Sequence, residues 1–215
     1  VCLPKTELNK LQKDFLREFF SRESRFFLSG GGALVGFYLG HRETHDLDLF
    51  TLEDEIESGF ALTTDSARSL GASVEPIQTS PEFRRLLVTL GDESIVVDLV
   101  REYVFQIDRE KKEINGIRID SPEEIFANKL CALLSRSEIR DLVDVYELEK
   151  AGLSLESALS AAQKKDTGLT PAQLAWVLNQ IEFGDSFELP GDVSSANLTE
   201  YMAELILRLQ KLALP

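Results

Sequence analysis

Between residues 8 and 20 apolar side chains recur at Leu8, Leu11, Phe15, Phe19 and Phe20 while charged residues fill the other positions. That helical period predicts an amphipathic first helix. Residues 25–29, Arg25-Phe26-Phe27-Leu28-Ser29, predict a short strand that runs into Gly30-Gly31-Gly32, where the backbone must bend or let something approach closely. A short helix over 33–39 follows. After a turn at 41–45, the segment Asp46-Leu47-Asp48-Leu49-Phe50 alternates polar and apolar residues with period two, the signature of a strand with both Asp side chains on one face. Residues 53–70 have helical composition ending at Gly71, and 73–77, 84–90 and 94–100 are further strand candidates.

The pattern changes at Ser121-Pro122-Glu123-Glu124, an N-cap, a proline at the first helical position and early acids. This opens a helix to about residue 135. Helical periods follow over 138–150, 153–163, 171–180 and 198–212, with a polar Gly/Pro loop at 184–191. No internal repeat, low-complexity tract or long linker interrupts the chain. The expected architecture is α+β: a mixed sheet flanked by helices over residues 1–120, then a helical domain over 121–215 packed against it.

Composition narrows the setting. A chain of 215 residues with 43% hydrophobic content can bury a core without staples. Cys2 and Cys131 have no metal-ligand spacing, and Cys131 sits in an apolar helical run, which predicts a packed thiol in a reducing cytoplasm. The chain opens on Val1, which reads as a trimmed start, and its first segment is amphipathic and charged, unlike a signal peptide. No apolar stretch approaches the roughly 20 residues needed to span a bilayer, so no membrane partner is expected. A formal net charge of -14 opposes non-specific attachment to a phosphate backbone. No DNA partner is expected, and an RNA would need a local basic patch; otherwise the acids simply form a solvated surface.

Two Asp residues at i and i+2 on a strand project to one side, roughly 6 to 7 Å apart, a reach that can share divalent cations. A third acid, Asp98, lies within Ile95-Val96-Val97-Asp98-Leu99-Val100, where a buried charge is costly unless paired or metal-bound. If that strand lies beside the first, Asp46, Asp48 and Asp98 converge on one metal site. The N–H groups of Gly30, Gly31 and Gly32 would form a nest for the β- and γ-phosphates of a triphosphate. Alone, a triple-glycine bend is also just a turn and an Asp-x-Asp strand also a solvated edge. Their order, strand, glycines, short helix, turn, Asp-x-Asp strand, is far more specific. In the helical half Lys129, Leu133, Arg136, Arg140 and Asp144 recur at spacings of three to four and share one face if Ser137 does not break the helix. Surface pairs such as Arg140 with Asp144 would account for the same spacing.

Phe27-Leu28-Ser29-Gly30-Gly31-Gly32-Ala33-Leu34, followed by His41-Arg42-Glu43-Thr44-His45-Asp46-Leu47-Asp48-Leu49-Phe50, resembles the opening motifs of the AbiEii/AbiGii toxin family of nucleotidyltransferases, within the polymerase-beta-like superfamily. Lys129 and Arg140-Asp141-Leu142-Val143-Asp144 stand where that family carries a helical Lys and a later Arg-Asp-x-x-Asp element. The resemblance covers roughly residues 25–150. It implies a nucleotidyltransferase fold and Mg2+-dependent transfer of a nucleotide from an NTP, with two ions. In several members it implies toxicity restrained by a separate antitoxin protein. On this resemblance Lys129 meets the triphosphate with Arg136 assisting, and Asp141 and Asp144 orient the acceptor or hold Lys129 and Arg140. Arg42 contacts phosphate or fixes its turn; His45 reads as a turn residue and Trp176 as core or interface. The family commonly has Thr or Ser where Gly32 stands, and a hydroxyl there can bond a phosphate oxygen.

The expected function is thus an NTP:acceptor nucleotidyltransferase, with an RNA or tRNA 3′ end favoured as acceptor and toxin function implied by the family. Asp46 and Asp48 would bind the metal ions while Asp98 completes the coordination and activates the acceptor hydroxyl. The alternatives are a non-catalytic nucleotide- or partner-binding module on the same fold, or a transferase acting on a small molecule such as an aminoglycoside.

Overall fold

The computed structural model describes residues 8–181 and 189–214. Cys2 and most of the 184–191 loop lie outside them. Helix α1 (Lys10–Phe20) is closed by a capping box in which Asn9 and Gln12 exchange hydrogen bonds, and it buries the apolar stripe read from the sequence. Strand β1 (Phe26–Ser29) is buried along its whole length and runs directly into a helical turn, α2 (Gly30–Ala33), which continues as a π-helical segment, Leu34–Leu39. The helix therefore starts at the first glycine and not at Ala33. The chain returns as β2 (Asp46–Thr51), then α3 (Ile56–Ser69), β3 (Ser73–Ser80), β4 (Phe83–Leu90), β5 (Glu93–Arg101), β6 (Lys112–Ile114) and β7 (Ile117–Ile119).

The seven strands among the described residues form one mixed sheet in the order β3-β4-β5-β2-β1-β7-β6. Its central pairs explain its composition. β2 runs antiparallel to β1 but parallel to β5, and the alternate residues Leu47, Leu49, Val97 and Leu99 are fully buried. Helices α1 and α3 pack on the sheet, with Phe19 edge-on to Phe26 at 5.7 Å between ring centroids. The β6–β7 hairpin was not among the expected strands. Its two-residue Asn115-Gly116 turn has φ of 54° and 79°, the left-handed conformation that a tight hairpin of this hand requires.

Helices α4 (Pro122–Arg136), α5 (Ile139–Lys150), α6 (Leu155–Lys165), α7 (Pro171–Leu178) and α8 (Ser195–Leu212) make up the rest. The chain divides into two compact units: residues 1–103 with 108–121, and residues 104–107 with 122–215. In the second, α4 packs on α5, α6 and α7, and α8 on α5 and α7. Ser154, Thr170 and Ser194 cap α6, α7 and α8 by accepting from backbone N–H groups three residues on. Helix α7 buries Leu174, Ala175 and Leu178, which turns Trp176 to the opposite side, 67% exposed, so this residue is not core.

Candidate active site

The register of the sheet builds a polar line from residues far apart in sequence. β2 sets Asp48 beside Asp98 of β5 and Asp46 beside Val96. Paired residues on neighbouring strands project to the same face, about 4.8 Å apart at the backbone, and Asp46 lies two residues along that face. On one flank β1 places Ser29 opposite Asp48; on the other, β4 places Arg85 opposite Asp98. Ser29, Asp48, Asp98 and Arg85 thus stand in one row across four strands.

The row ends at the glycine bend. Gly30 has φ +60°, and a Cβ there would stand 2.2 Å from Asp48 Oδ2, so the carboxylate rests where any other side chain would be. A Cβ on Gly31 would meet Arg42 Nη2 at 2.9 Å and Thr44 Oγ1 at 3.2 Å. Arg42 is buried and fixes its own turn by donating from Nη1 to the Glu43 carbonyl at 2.9 Å. Gln12 secures the same loop, donating to the Thr44 carbonyl at 2.9 Å. Gly32 faces elsewhere: its Cβ would lie 3.3 Å from the side chains of Leu28 and Leu47 and 3.4 Å from the Asp46 carbonyl. A Ser or Thr there would stand against β2 and core leucines, which differs from the expectation that position 32 addresses a phosphate. His45 is exposed, and its carbonyl accepts from Val96 N at 3.3 Å, a ladder contact.

Asp98 gives both oxygens to Arg85, at 2.9 Å from Nε to Oδ1 and 2.7 Å from Nη2 to Oδ2. This fork is the strongest geometry open to a guanidinium and a carboxylate. The Asp98 side chain is 5% exposed and that of Arg85 is 42% exposed. The Arg85 guanidinium is held above its ordinary value by these hydrogen bonds, against a smaller loss of hydration, and by the charges of Asp98, Asp46 and Asp48.

In the second unit Ser137 takes φ +53° and ends α4, so the stripe from Lys129 to Asp144 is not one helical face. The two helices instead fold back on each other. Lys129 Nζ lies 2.7 Å from Asp141 Oδ1 and 2.7 Å from Asp144 Oδ2. Arg136 adds a fork to Asp141, Nε to Oδ2 at 2.8 Å and Nη2 to Oδ1 at 3.0 Å. Both Asp side chains are fully buried. Burial alone would push the Asp141 carboxyl up; hydrogen bonds and charge from Arg136 and Lys129 outweigh it and hold the group below its usual value. Arg140 pairs with Glu138 at 2.5 Å.

A family described as nucleotidyl transferase AbiEii toxin, type IV toxin-antitoxin system, matches residues 14–210. The chain belongs to the AbiEii nucleotidyltransferase toxin family. Its sheet and flanking helices resemble those of MenT4, a nucleotidyltransferase toxin from Mycobacterium tuberculosis H37Rv, with a TM-score of 0.66 at 16% identity over 94% of this chain and 82% of that one. JHP933 from Helicobacter pylori gives 0.58 at 20% identity over 99% and 94%. A putative nucleotidyltransferase from H. pylori gives 0.58 at 20% over 96% of both. No curated protein sequence matches. The AbiEii-family chain is accordingly a nucleotidyltransferase of mixed α+β fold. No helix among its described residues is long and apolar enough to cross a membrane.

The family's chemistry calls for a divalent cation. Mg2+ typically takes one or two carboxylates and completes its shell with water and substrate phosphates. Asp46 and Asp48, hard oxygen donors on one face with Asp48 seated against the Gly30 backbone, fit that demand. Among the described residues no three acidic, His or Cys side chains are grouped to hold an ion, and Asp98 as placed is committed to Arg85. Sequence reasoning passed over Arg85, although a signal was available. A two-residue Gly91-Asp92 turn between β4 and β5 fixes Leu90 against Glu93, and counting back through that register puts Arg85 opposite Asp98.

Proposed function

We propose that this AbiEii-family chain transfers a nucleoside monophosphate from a Mg2+-bound NTP to an acceptor hydroxyl on RNA, with a tRNA 3′ end as acceptor, and that a separately encoded antitoxin restrains it. The observation that carries the reading is the row that sets Asp48 beside Asp98 and against the Gly30 backbone, with Asp46 along the same face. Bound there, Mg2+ would neutralise triphosphate oxygens and the charge developing on pyrophosphate.

The chain's own groups supply the rest. Asp46 and Asp48 would hold the cation, and both stand on a rigid central strand and not on a loop. The N–H groups at Gly30 and Gly31 open a helix beside Asp48, an arrangement suited to anionic oxygens. Arg42 braces the bend from within. Asp98 is held in place beside the other acids by the fork from Arg85. The part of Lys129, Arg136, Asp141 and Asp144 in transfer rests on the family resemblance; in the second unit they form a closed ionic cluster.

Purified protein incubated with Mg2+, each α-labelled NTP in turn and total tRNA tests the reading directly. Label is expected on tRNA for one preferred NTP, and Asp48→Ala is expected to abolish it. Label transfer that survives Asp48→Ala, or none with any NTP, would remove the reading.

A further inference from the structure

Arg85 lies outside every motif that carried the family resemblance, yet its guanidinium is forked onto Asp98 in the acidic row. It forms both bonds of its fork with Asp98, and its electrostatic environment includes Asp46 and Asp48 as well. Its guanidinium stands 5.8 Å from the centroid of the Phe83 ring, two residues back along β4 on the same face. The two partners differ in freedom. Asp98 is buried on a central strand, whereas the Arg85 side chain, at 42% exposure on a long flexible stem, has room to leave.

We infer that Arg85 competes with the divalent cation for Asp98, so that the third carboxylate becomes a metal ligand only when an anion draws the guanidinium away. This rests on the proposed transfer reaction and deepens it. Both oxygens of Asp98 accept from a group that cannot lose its proton, so a cation approaching them meets the positive guanidinium and finds two of the carboxylate's roughly four lone-pair sites taken. A triphosphate is an anion of the right kind to take the released guanidinium, because Arg binds phosphate in the same forked geometry as carboxylate. Metal alone then meets Asp46 and Asp48, and metal with nucleotide meets Asp98 as well.

The test is Mn2+ binding to the whole chain without nucleotide, read from the electron paramagnetic resonance of unbound Mn2+. Arg85→Gln is expected to tighten Mn2+ binding about tenfold, the order expected from adding one carboxylate ligand. Adding Asp98→Asn to that variant is expected to cancel the gain. Arg85→Met, which keeps an apolar stem against Phe83, reads the same quantity should the Gln variant fold poorly. Affinity unchanged or weakened in the Arg85 variants, or a gain that survives Asp98→Asn, overturns the inference. Transfer by the unmodified chain is a separate measurement, so label on tRNA with no Mn2+ effect sinks only the role of Arg85. A Mn2+ effect with no transfer sinks only the reaction.

Discussion

At the scale of single residues, the two ionic clusters differ in what they can tolerate. Gly30 carries two demands at once, a left-handed φ of +60° and a carboxylate 2.2 Å from where a Cβ would be. Gly30→Ala is expected to cost roughly 1–2 kcal/mol in backbone strain and to push Asp48 aside. Label transfer should fall at least tenfold while circular dichroism shows a folded protein. Asp141 has the opposite character, since it is buried and held by Lys129 and Arg136. Its folded-state value is depressed, so the stability it contributes is present above the unfolded-state value near 3.9 and disappears as pH falls through the folded-state value. Asp141→Asn should therefore lower the melting temperature clearly at pH 7, where breaking a buried charge cluster costs roughly 3–5 kcal/mol. The gap to the unmodified chain should close below about pH 4. A gap independent of pH would assign the loss to packing. Asp46 and Asp48 were legible in the sequence because period-two alternation carries both onto one face. That Asp141 and Asp144 hold Lys129 was one of their two expected roles, but the fold-back of α5 on α4 that brings them together was not legible, because it depends on Ser137 taking φ +53°, which no periodicity announces.

At the scale of elements, strands and helices with strong periods were readable to within a few residues. α1, β2, β4, β5 and α4 all carry the apolar spacing their environments require. The β6–β7 hairpin escaped because three-residue strands have almost no period, although Asn115-Gly116 between Ile114 and Ile117 is a hairpin signal in its own right. Helix α3 shows a constraint that period alone hides. It contains Gly59 four residues into the helix, a choice that costs up to about 1 kcal/mol against Ala by propensity. The reason is close approach: a Cβ at 59 would stand 2.5 Å from Phe26 Cζ, on a β1 ring that itself packs edge-on to Phe19. Gly59→Ala should thus destabilise the first unit despite improving helix propensity, by roughly 1–3 kcal/mol of overpacking. Chemical denaturation would measure it. A stabilised variant would mean that α3 can slide on the sheet at little cost.

At the scale of the molecule, the change near residue 121 was visible as a proline-led helix start, whereas the assignment of residues 104–107 to the second unit was not. Four residues carry no period, and what binds them is their backbone. Ile107 N donates to Glu124 Oε2 at 2.7 Å, and Lys165 Nζ donates to the Phe105 carbonyl at 2.8 Å. Lys164 lies 5.2 Å from the centroid of the Phe105 ring. Glu124 and Lys165 are themselves a buried ion pair between α4 and α6, so the short strip satisfies groups whose isolation in the core would be costly. A fragment starting at 122 loses these partners. It is expected to unfold broadly, at a lower temperature than a fragment starting at 104. The longer fragment carries residues 108–121 as a loop whose closure cost grows only slowly with length. Circular dichroism melts of the two fragments decide the matter, because equal midpoints and equal sharpness would show that the second unit holds together without its borrowed strip.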